Sequence, residues 1–340
     1  MNLATLPKID LHRHLEGSLR LQTLLQLAQK ASITLPSPGS AASLSRLVQI
    51  QPDETLTFEN FLAKFSTLRM FYRSPEVITR VTREAIQDAA RDNIRYLELR
   101  FTPVALSRAE GFPMGDVIDW VCEAASASAS EFGINVRLIA SINRHEPIEL
   151  AEQVVSLSLE RLPQGIVGLD LAGNEAHFPG LSFADLFKDA RQAGLSISIH
   201  AGEWGGPENI RAAIEKFHAD RIGHGIRILE DPATLALARE RQIPFEVCLT
   251  SNYHTGSVSD LAQHPALTML AAGLNVTFNS DDPSISQITL TDEYRVALEI
   301  LHLPPAILKE RILAAARAAF LPPPEKQILL DTFTTALNAA

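Results

Sequence analysis

Eight short runs of apolar and β-branched residues recur along the chain, and most are separated by stretches long enough to form a helix. Alternation of this kind is typical of β/α units that build a parallel sheet. Eight such units predict an α/β protein with one closed (β/α)8 TIM barrel. The predicted strands are Ile9–His14, Ile94–Phe101, Ile134–Ile142, Ile166–Ala172, Ser196–Ala201, Arg221–His224, Pro244–Leu249 and Asn275–Asn279.

The chain length agrees with one barrel. Its 340 residues exceed the usual size of a domain, but no linker, repeat or charge run marks a boundary, so we expect a single domain over residues 1–340. The stretch between the first two strands is too long for one crossover helix. We therefore expect extra helices inserted after the first strand, forming a lid over about residues 20–90. Within this insert, Thr57–Phe71 has a helical pattern, whereas Pro36, Pro38, Gly39 and Ser40 are typical of a loop.

The charge and the cysteine content narrow the partners and the compartment. The chain has 40 acidic and 30 basic side chains, and its net charge of −10 disfavours nucleic acid and anionic membranes as partners. Its N-terminus lacks a signal-peptide pattern, and no apolar run approaches the roughly 20 residues that span a bilayer. Two cysteines cannot build a disulfide framework. We expect a cytoplasmic protein that acts on a small molecule, with its oligomeric state left open.

Polar side chains cluster at the carboxyl ends of the predicted strands, where barrel enzymes build their active sites. His12 and His14 share one face of the first strand, because side chains alternate along a strand, and can bind one metal ion. His200 and Asp281 would complete a set of three imidazoles and one carboxylate. This set suits zinc, with iron(II) or cobalt as alternatives.

Several longer motifs carry a resemblance to a known family. The segments LPKIDLHRHLEGSLR, GLDLAGNE, HAGE, RIGHG, CLTSN and NSDDPS occur in this order, and FLAKF and YLELRFTP lie outside the predicted metal site. Together they resemble the adenosine deaminase family of the amidohydrolase superfamily over nearly the whole chain. The resemblance implies a (β/α)8 barrel with one zinc ion, in agreement with the count of strands.

The resemblance also implies a role for individual residues. His12, His14, His200 and Asp281 would bind one zinc ion per chain. Glu203 would donate a proton to purine N1, and His224 would orient and help to deprotonate the zinc-bound water. Asp282 would bind N7 and the Gly173 N–H group would bind N3. The resemblance further implies that Phe58, Phe61, Leu62 and Phe65 form an apolar gate over the substrate, with His14 and Glu16 also lining the site.

Glu16 departs from the family pattern, because typical adenosine deaminases have HxHLDG where this chain has HRHLEG. The longer side chain changes which sugar hydroxyl, or which ligand without a sugar, can be bound. The resemblance favours deamination of adenosine and 2′-deoxyadenosine. The alternative is deamination of adenine or of a 5′-modified adenosine such as aminodeoxyfutalosine.

Other interpretations of these residues remain open at this point. Glu203 could be an acidic residue at a helix start, Asp281 or Asp282 could cap the helix that follows, and Gly173 could serve only in a turn. A binuclear metallohydrolase is disfavoured because DLAG has no lysine at the end of the fourth strand. A zinc fold of the cytidine deaminase type is excluded by the lack of PCxxC. A non-catalytic purine-binding protein would be expected to have lost part of the ligand or acid set.

Overall fold

The computed structural model describes residues 1–31 and 40–339, so Pro36, Pro38 and Gly39 of the predicted loop lie outside the described residues. Its core is one parallel sheet of eight strands in sequential order. The strands are β1 (Lys8–His14), β2 (Ile94–Phe101), β3 (Asn135–Asn143), β4 (Ile166–Ala172), β5 (Ser196–Ala201), β6 (Arg221–His224), β7 (Pro244–Val247) and β8 (Asn275–Phe278). The predicted (β/α)8 barrel is thereby confirmed.

The barrel is nearly closed between β8 and β1. Just beyond β8, Asp281 forms a parallel bridge with Arg13. The Asp281 N–H donates to the His12 carbonyl at 2.8 Å, and the His14 N–H donates to the Asp281 carbonyl at 2.8 Å. Closure therefore places Asp281 directly beside both histidines of β1.

Sixteen α-helices are described. They are α1 (Leu21–Ala31), α2 (Ala41–Val48), α3 (Phe58–Leu68), α4 (Pro75–Arg91), α5 (Pro103–Arg108), α6 (Met114–Phe132), α7 (Ile148–Glu160), α8 (Ala184–Gln192), α9 (Pro207–Glu215), α10 (Pro232–Glu240), α11 (Leu249–His254), α12 (Ala266–Ala271), α13 (Pro283–Ser286), α14 (Leu290–Arg295), α15 (Pro305–Ala318) and α16 (Pro323–Asn338). None of the described helices is long and apolar enough to cross a membrane.

Helices α1 to α4 follow β1, where the insert was predicted. Thr57 begins α3, because its hydroxyl accepts the Asn60 N–H and satisfies an otherwise free donor of the first turn. The helix ends at Leu68 and continues as one 3-10 turn over Arg69–Phe71. Helix α4 packs against α6 and so forms part of the outer ring.

Strand β7 is shorter than predicted, and this boundary of the sequence analysis was wrong. The strand ends at Val247, because Cys248 occupies the N-cap position of α11 and Leu249 is the first residue of that helix. The buried Glu293 carboxylate accepts the N–H groups of Leu249 and Thr250, at 2.6 and 3.1 Å. A carboxyl group that accepts hydrogen bonds at a helix N-terminus satisfies donors that a strand would have presented to its neighbour.

Charged side chains fill part of the barrel interior. Arg221 is fully buried, donates to both Glu98 and Glu246, and lies 3.4 Å from the ring centroid of Phe320. Buried charges are tolerated where they are paired. The two carboxylates and the guanidinium therefore link β2, β6 and β7 below the candidate site.

Candidate active site

Three histidines and one aspartate converge at the carboxyl ends of the strands. The His12 and His14 rings lie 5.3 Å apart, and the His200 ring lies 4.6 and 5.3 Å from them, measured between centroids. Asp281 Oδ1 lies 3.2 Å from His12 Nε2 and 3.4 Å from His14 Nε2. The closed barrel thus brings together the four predicted metal ligands, from β1, β5 and the segment after β8.

The backbone at two site residues is held in an unusual conformation. Asp281 and His224 have φ angles of 57° and 59°, in the left-handed region that side-chain-bearing residues rarely adopt. For Asp281, the two hydrogen bonds to β1 stabilise this conformation. Backbone strain of this kind is concentrated at functional sites.

Two buried carboxylates orient the rings of His12 and His200. Glu246 Oε2 lies 2.8 Å from His12 Nδ1, and Asp170 Oδ1 lies 2.8 Å from His200 Nδ1. A carboxylate on Nδ1 holds that proton and directs Nε2 of the same ring towards a metal. His12 Nε2 is buried, and no described atom completes a well-aligned hydrogen bond to it.

Arg100 keeps both orienting carboxylates ionised. Its Nη2 lies 2.9 Å from Glu246 and its Nη1 lies 3.5 Å from Asp170. Burial alone would raise the pKa values of these carboxyls. Arg100 together with Arg221 outweighs burial at Glu246, and His200 together with Arg100 outweighs it at Asp170, so both pKa values are lowered.

The donor set matches the chemistry that zinc requires. Burial lowers the pKa values of His14 and His200, which favours neutral imidazoles able to bind a metal, whereas at His12 the contacts with Asp281 and Glu246 outweigh burial and raise the pKa. Burial opposes ionisation of Asp281, but the neighbouring histidines outweigh it and hold its pKa well below the ordinary range. Two groups of side chains have potential ligand atoms that lie within 4.8 Å of one another, and His200 belongs to both. The first group also contains His12, His224 and Asp281, and the second also contains His14 and Asp170. A divalent metal can therefore be held here.

Glu203 has the surroundings of an acid that stays protonated. It is 6% exposed, and burial, followed by the charges of Asp281 and Glu175, raises its pKa well above the ordinary value. Its Oε1 accepts from Asn252 Nδ2 at 3.1 Å, and Thr255 Oγ1 lies 3.2 Å away. The side chain faces the cavity and caps no helix, which removes the interpretation of Glu203 as a helix-start acid.

His224 lies between the acid and the metal-ligand cluster. Its Nε2 is 3.6 Å from Glu203 Oε2 and 3.9 Å from Asp281 Oδ2. Its Nδ1 is 3.2 Å from Asn252 Nδ2. The ring therefore lies next to both Glu203 and Asp281.

A cavity opens above the cluster. Eight predicted site residues outside helix α3 line this cavity, namely His14, Glu16, Gly173, His200, Glu203, His224, Asp281 and Asp282. His12 lies below this lining, fully buried. Gly173 has a φ of 94°, so a side chain there would be strained.

Glu16 and Asp282 each present a polar atom with no described partner. Glu16 Oε1 accepts the Thr102 N–H at 2.7 Å, whereas Oε2 is buried without a hydrogen bond in the described structure. Asp282 stands at the N-cap position of α13 but makes no capping bond, and its Oδ1 is likewise unpartnered among described atoms. Burial raises the pKa of both carboxyls, and the charge of Asp281 raises that of Asp282 further. Both groups are available to a ligand.

Helix α3 covers one side of the cavity. Phe61, Leu62 and Phe65 are among its lining residues. Phe58 is not in that lining; its ring stacks on Trp204, which is, with centroids 5.1 Å apart. The apolar face of α3 therefore forms a wall, with Phe58 in contact with a second wall residue.

The sequence analysis missed five residues that organise this site: Asp170, Glu175, Glu246, Asn252 and His264. Glu175 accepts the N–H groups of Gly202, Glu203 and Trp204 at 2.7 to 2.9 Å, and so holds the loop that carries the acid. It is the last residue of the motif GLDLAGNE, in which only Gly173 was predicted to be a site residue. For Asp170 and Glu246, the available signal was a charged residue inside an otherwise apolar strand.

The fold and the site define a (β/α)8 barrel protein with a histidine and aspartate cluster able to hold a metal at the carboxyl ends of its strands. Residues 7–336 match the family model for adenosine deaminase. The adenosine deaminase of Shigella flexneri serotype 5b (strain 8401) is 38% identical over 327 residues, which cover 96% of this chain and 97% of that protein. The chain belongs to the adenosine deaminase family, and it is a hydrolytic deaminase of that family.

Solved structures of the same fold include deaminases with different substrates. An adenine deaminase from Arthrobacter aurescens has a TM-score of 0.89 at 29% identity, covering 98% of this chain and 99% of that one. Arabidopsis ADAL in complex with GMP has a TM-score of 0.87 at 29% identity, covering 98% of each chain. An amidohydrolase from Burkholderia ambifaria, solved with bound zinc, has a TM-score of 0.86 at 26% identity, covering 99% of this chain and 94% of that one.

Proposed function

We propose that the chain is a zinc-dependent deaminase that converts adenosine and 2′-deoxyadenosine to inosine and deoxyinosine, with release of ammonia. The observation that carries this proposal is the pairing of Glu203, a buried carboxyl with a raised pKa, with a histidine and aspartate cluster across one small cavity. The level of identity to an adenosine deaminase, 38% over nearly the whole chain, supports the choice of nucleoside.

His12, His14, His200 and Asp281 would hold the zinc ion. Zinc supplies a water-derived nucleophile at neutral pH, because it lowers the pKa of water. The orienting contacts of His12 with Glu246 and of His200 with Asp170 support this assignment.

Glu203 would protonate purine N1 while the nucleophile adds at C6. Addition at C6 disrupts the aromatic ring and places negative charge on N1, so a proton delivered there stabilises the transition state. A carboxyl with an ordinary pKa would already be ionised at neutral pH. Its raised pKa therefore allows Glu203 to hold the proton until the reaction needs it.

The remaining cavity residues would bind the nucleoside. Asp282, kept neutral by burial and by the charge of Asp281, can donate a hydrogen bond to N7. The Gly173 N–H would bind N3, and Glu16 Oε2, which has no partner among the described atoms, would bind the sugar. Phe61, Leu62 and Phe65 would cover the apolar faces of the base.

A second candidate is deamination of adenine or of a 5′-modified adenosine. Glu16 favours it, since this carboxyl stands where typical adenosine deaminases have the shorter aspartate. One structural neighbour is an adenine deaminase, and another is solved in complex with GMP. The test therefore includes a purine without a sugar and a phosphorylated purine.

The experiment compares kcat/KM for adenosine, 2′-deoxyadenosine, adenine, AMP and a 5′-modified adenosine, with one preparation of zinc-loaded protein. We expect the two nucleosides to have the highest values. A higher value for adenine, AMP or the 5′-modified compound would refute the substrate while leaving the chemistry in place. Deamination of none of the five would refute the proposed function.

A further inference from the structure

A buried amide connects the acid to His224. Asn252, the fourth residue of α11, is fully buried, and its Nδ2 lies 3.1 Å from Glu203 Oε1 and 3.2 Å from His224 Nδ1. Its Oδ1 lies 3.2 Å from Nε2 of a third side chain, His264. A side-chain amide has a donor end and an acceptor end, so its orientation decides which neighbours accept a hydrogen bond from it.

One backbone N–H determines the orientation of the whole chain of contacts. The Ala266 N–H can only donate, and it lies 3.1 Å from His264 Nδ1, so that nitrogen must be the acceptor. The proton of the neutral ring is then on Nε2, which donates to Asn252 Oδ1. Burial lowers the pKa of His264 to about 3, consistent with a neutral ring.

With its oxygen held by His264, Asn252 directs both amide protons into the site. One N–H bond of the amide donates a hydrogen bond to Glu203 Oε1, so the acidic proton of Glu203 belongs on Oε2. The other N–H bond donates to His224 Nδ1, so the proton of a neutral His224 ring belongs on Nε2. These two atoms, Glu203 Oε2 and His224 Nε2, lie 3.6 Å apart on the side of His224 that faces Asp281.

We propose that His264 is a positioning residue of the deaminase: through Asn252 it places the proton of Glu203 on Oε2 and the proton of His224 on Nε2. The role rests on the proposed function, because those protons matter only if Glu203 and His224 act on the substrate. His264 itself contacts neither the cavity lining nor a predicted metal ligand among its described hydrogen bonds.

The first test measures the hydrogen positions without substrate. In the zinc-loaded protein with 15N-labelled histidine, we expect the spectrum to show a proton on Nε2 of His264 and none on its Nδ1. The resonance is assigned by its loss in His264→Gln. A proton on Nδ1 of His264 would overturn the proposal, whether or not the protein deaminates adenosine.

The second test measures kinetics with whichever purine the wild-type protein deaminates. His264→Leu removes the donor, and we expect kcat to fall by about 10- to 100-fold, the range typical of residues that orient a reactive group, with KM and zinc content within about twofold. His264→Gln can still donate to Asn252 Oδ1 and should recover kcat to within about threefold. Gln263→Leu, at the exposed neighbouring position, is the matched control and should leave kcat unchanged.

The coupling between residues separates a positioning role from a structural one. In a Glu203→Gln background, His264→Leu should lower kcat by a smaller factor than it does in the wild type, because one of the two groups that it positions is already absent. A full loss in that background, or a normal kcat in His264→Leu, would overturn the proposal. If His264→Leu does not fold, the proposal is still tested by the spectrum and by His264→Gln. A kcat for His264→Gln as low as that of Glu203→Gln would contradict the positioning role.

Discussion

Two carboxyl groups in one cavity are given opposite protonation states by their neighbours. Asp281 faces the imidazoles of His12, His14 and His224, which outweigh burial and lower its pKa. Glu203 faces an amide and a hydroxyl, and burial raises its pKa. Environments that push the pKa values of neighbouring acids apart separate a charged ligand from a proton donor.

Replacing Glu203 by Gln tests the proton donor. Glu203→Gln keeps the size of the side chain but cannot deliver a proton, so we expect kcat to fall by about 10²- to 10⁴-fold. Elemental analysis should find the same zinc content as in the wild type, because Glu203 is not one of the proposed ligands. A near-normal kcat in the zinc-loaded variant would refute the role of Glu203 as the acid.

Replacing Asp170 by Asn tests the orientation of His200. The neutral amide holds the Nδ1 proton of His200 less strongly than the carboxylate does, so we expect zinc to bind about 10- to 100-fold more weakly. Competition with a chelator measures this affinity. Ser141→Ala is the matched control, because Ser141 binds the other oxygen of Asp170, and it should change the affinity less than threefold. Equal affinities in Asp170→Asn and wild type would contradict the account.

Residues at strand ends could be predicted from sequence, whereas the residues behind them could not. His12, His14, His200 and Asp281 follow from the order of the strands and the convergence of their ends. Asn252 and His264 depend on hydrogen bonds across the end of α11, which no spacing along the chain reveals. Their contacts are set by tertiary packing, and the sequence alone contains no periodic signal for them.

At the scale of elements, the positions of the strands were predicted closely, and the carboxyl ends of some strands less closely. The predicted bounds of β2, β4, β5 and β6 agree with the structure. The error at β7 arises because Cys248 and Leu249 continue the apolar run into α11. Only the distant Glu293 on α14, which accepts the first N–H groups of that helix, marks the boundary.

The contact between α14 and α11 predicts a pH dependence of stability. Burial raises the pKa of Glu293 to about 7 from an ordinary 4.5, so folding takes up a proton between these values. Its contribution to the free energy of unfolding is fully present below about pH 4.5 and is lost as the pH rises through 7, by up to about 3 kcal/mol. Glu293→Gln retains an acceptor for the Leu249 N–H and cannot ionise. Urea unfolding of both proteins near pH 5 and near pH 8 should therefore show that the variant loses less stability than the wild type between these two pH values. Equal losses would contradict the assignment of the pH dependence to Glu293.

The insert helix α3 predicts an effect on substrate binding alone. Leu62 lines the cavity and is only partly buried, so Leu62→Ala should remove apolar contact with the base. We expect KM to rise about 3- to 10-fold with little change in kcat, as when contacts equal in ground and transition states are lost. Ser66→Ala, at an exposed position of the same helix, is the matched control. An unchanged KM would exclude Leu62 from the substrate site.

At the scale of the molecule, the barrel joins residues that are far apart in sequence. Asp281 reaches His12 because β8 closes onto β1, and His200 reaches both because β5 lies across the barrel. The net charge of −10 is compatible with an uncharged nucleoside, which needs no electrostatic steering. The described residues form one barrel with helices inserted after its first strand.

Zinc-dependent hydrolysis of adenosine is the central claim, and isotope labelling during a zinc titration tests it most directly. Metal-depleted protein is titrated with zinc and supplied with adenosine in 18O-labelled water. We predict that the rate rises up to about one zinc per chain, and that each inosine formed carries one 18O at C6 and is matched by one ammonia. The absence of inosine at every zinc content, or inosine without the label, would contradict the account.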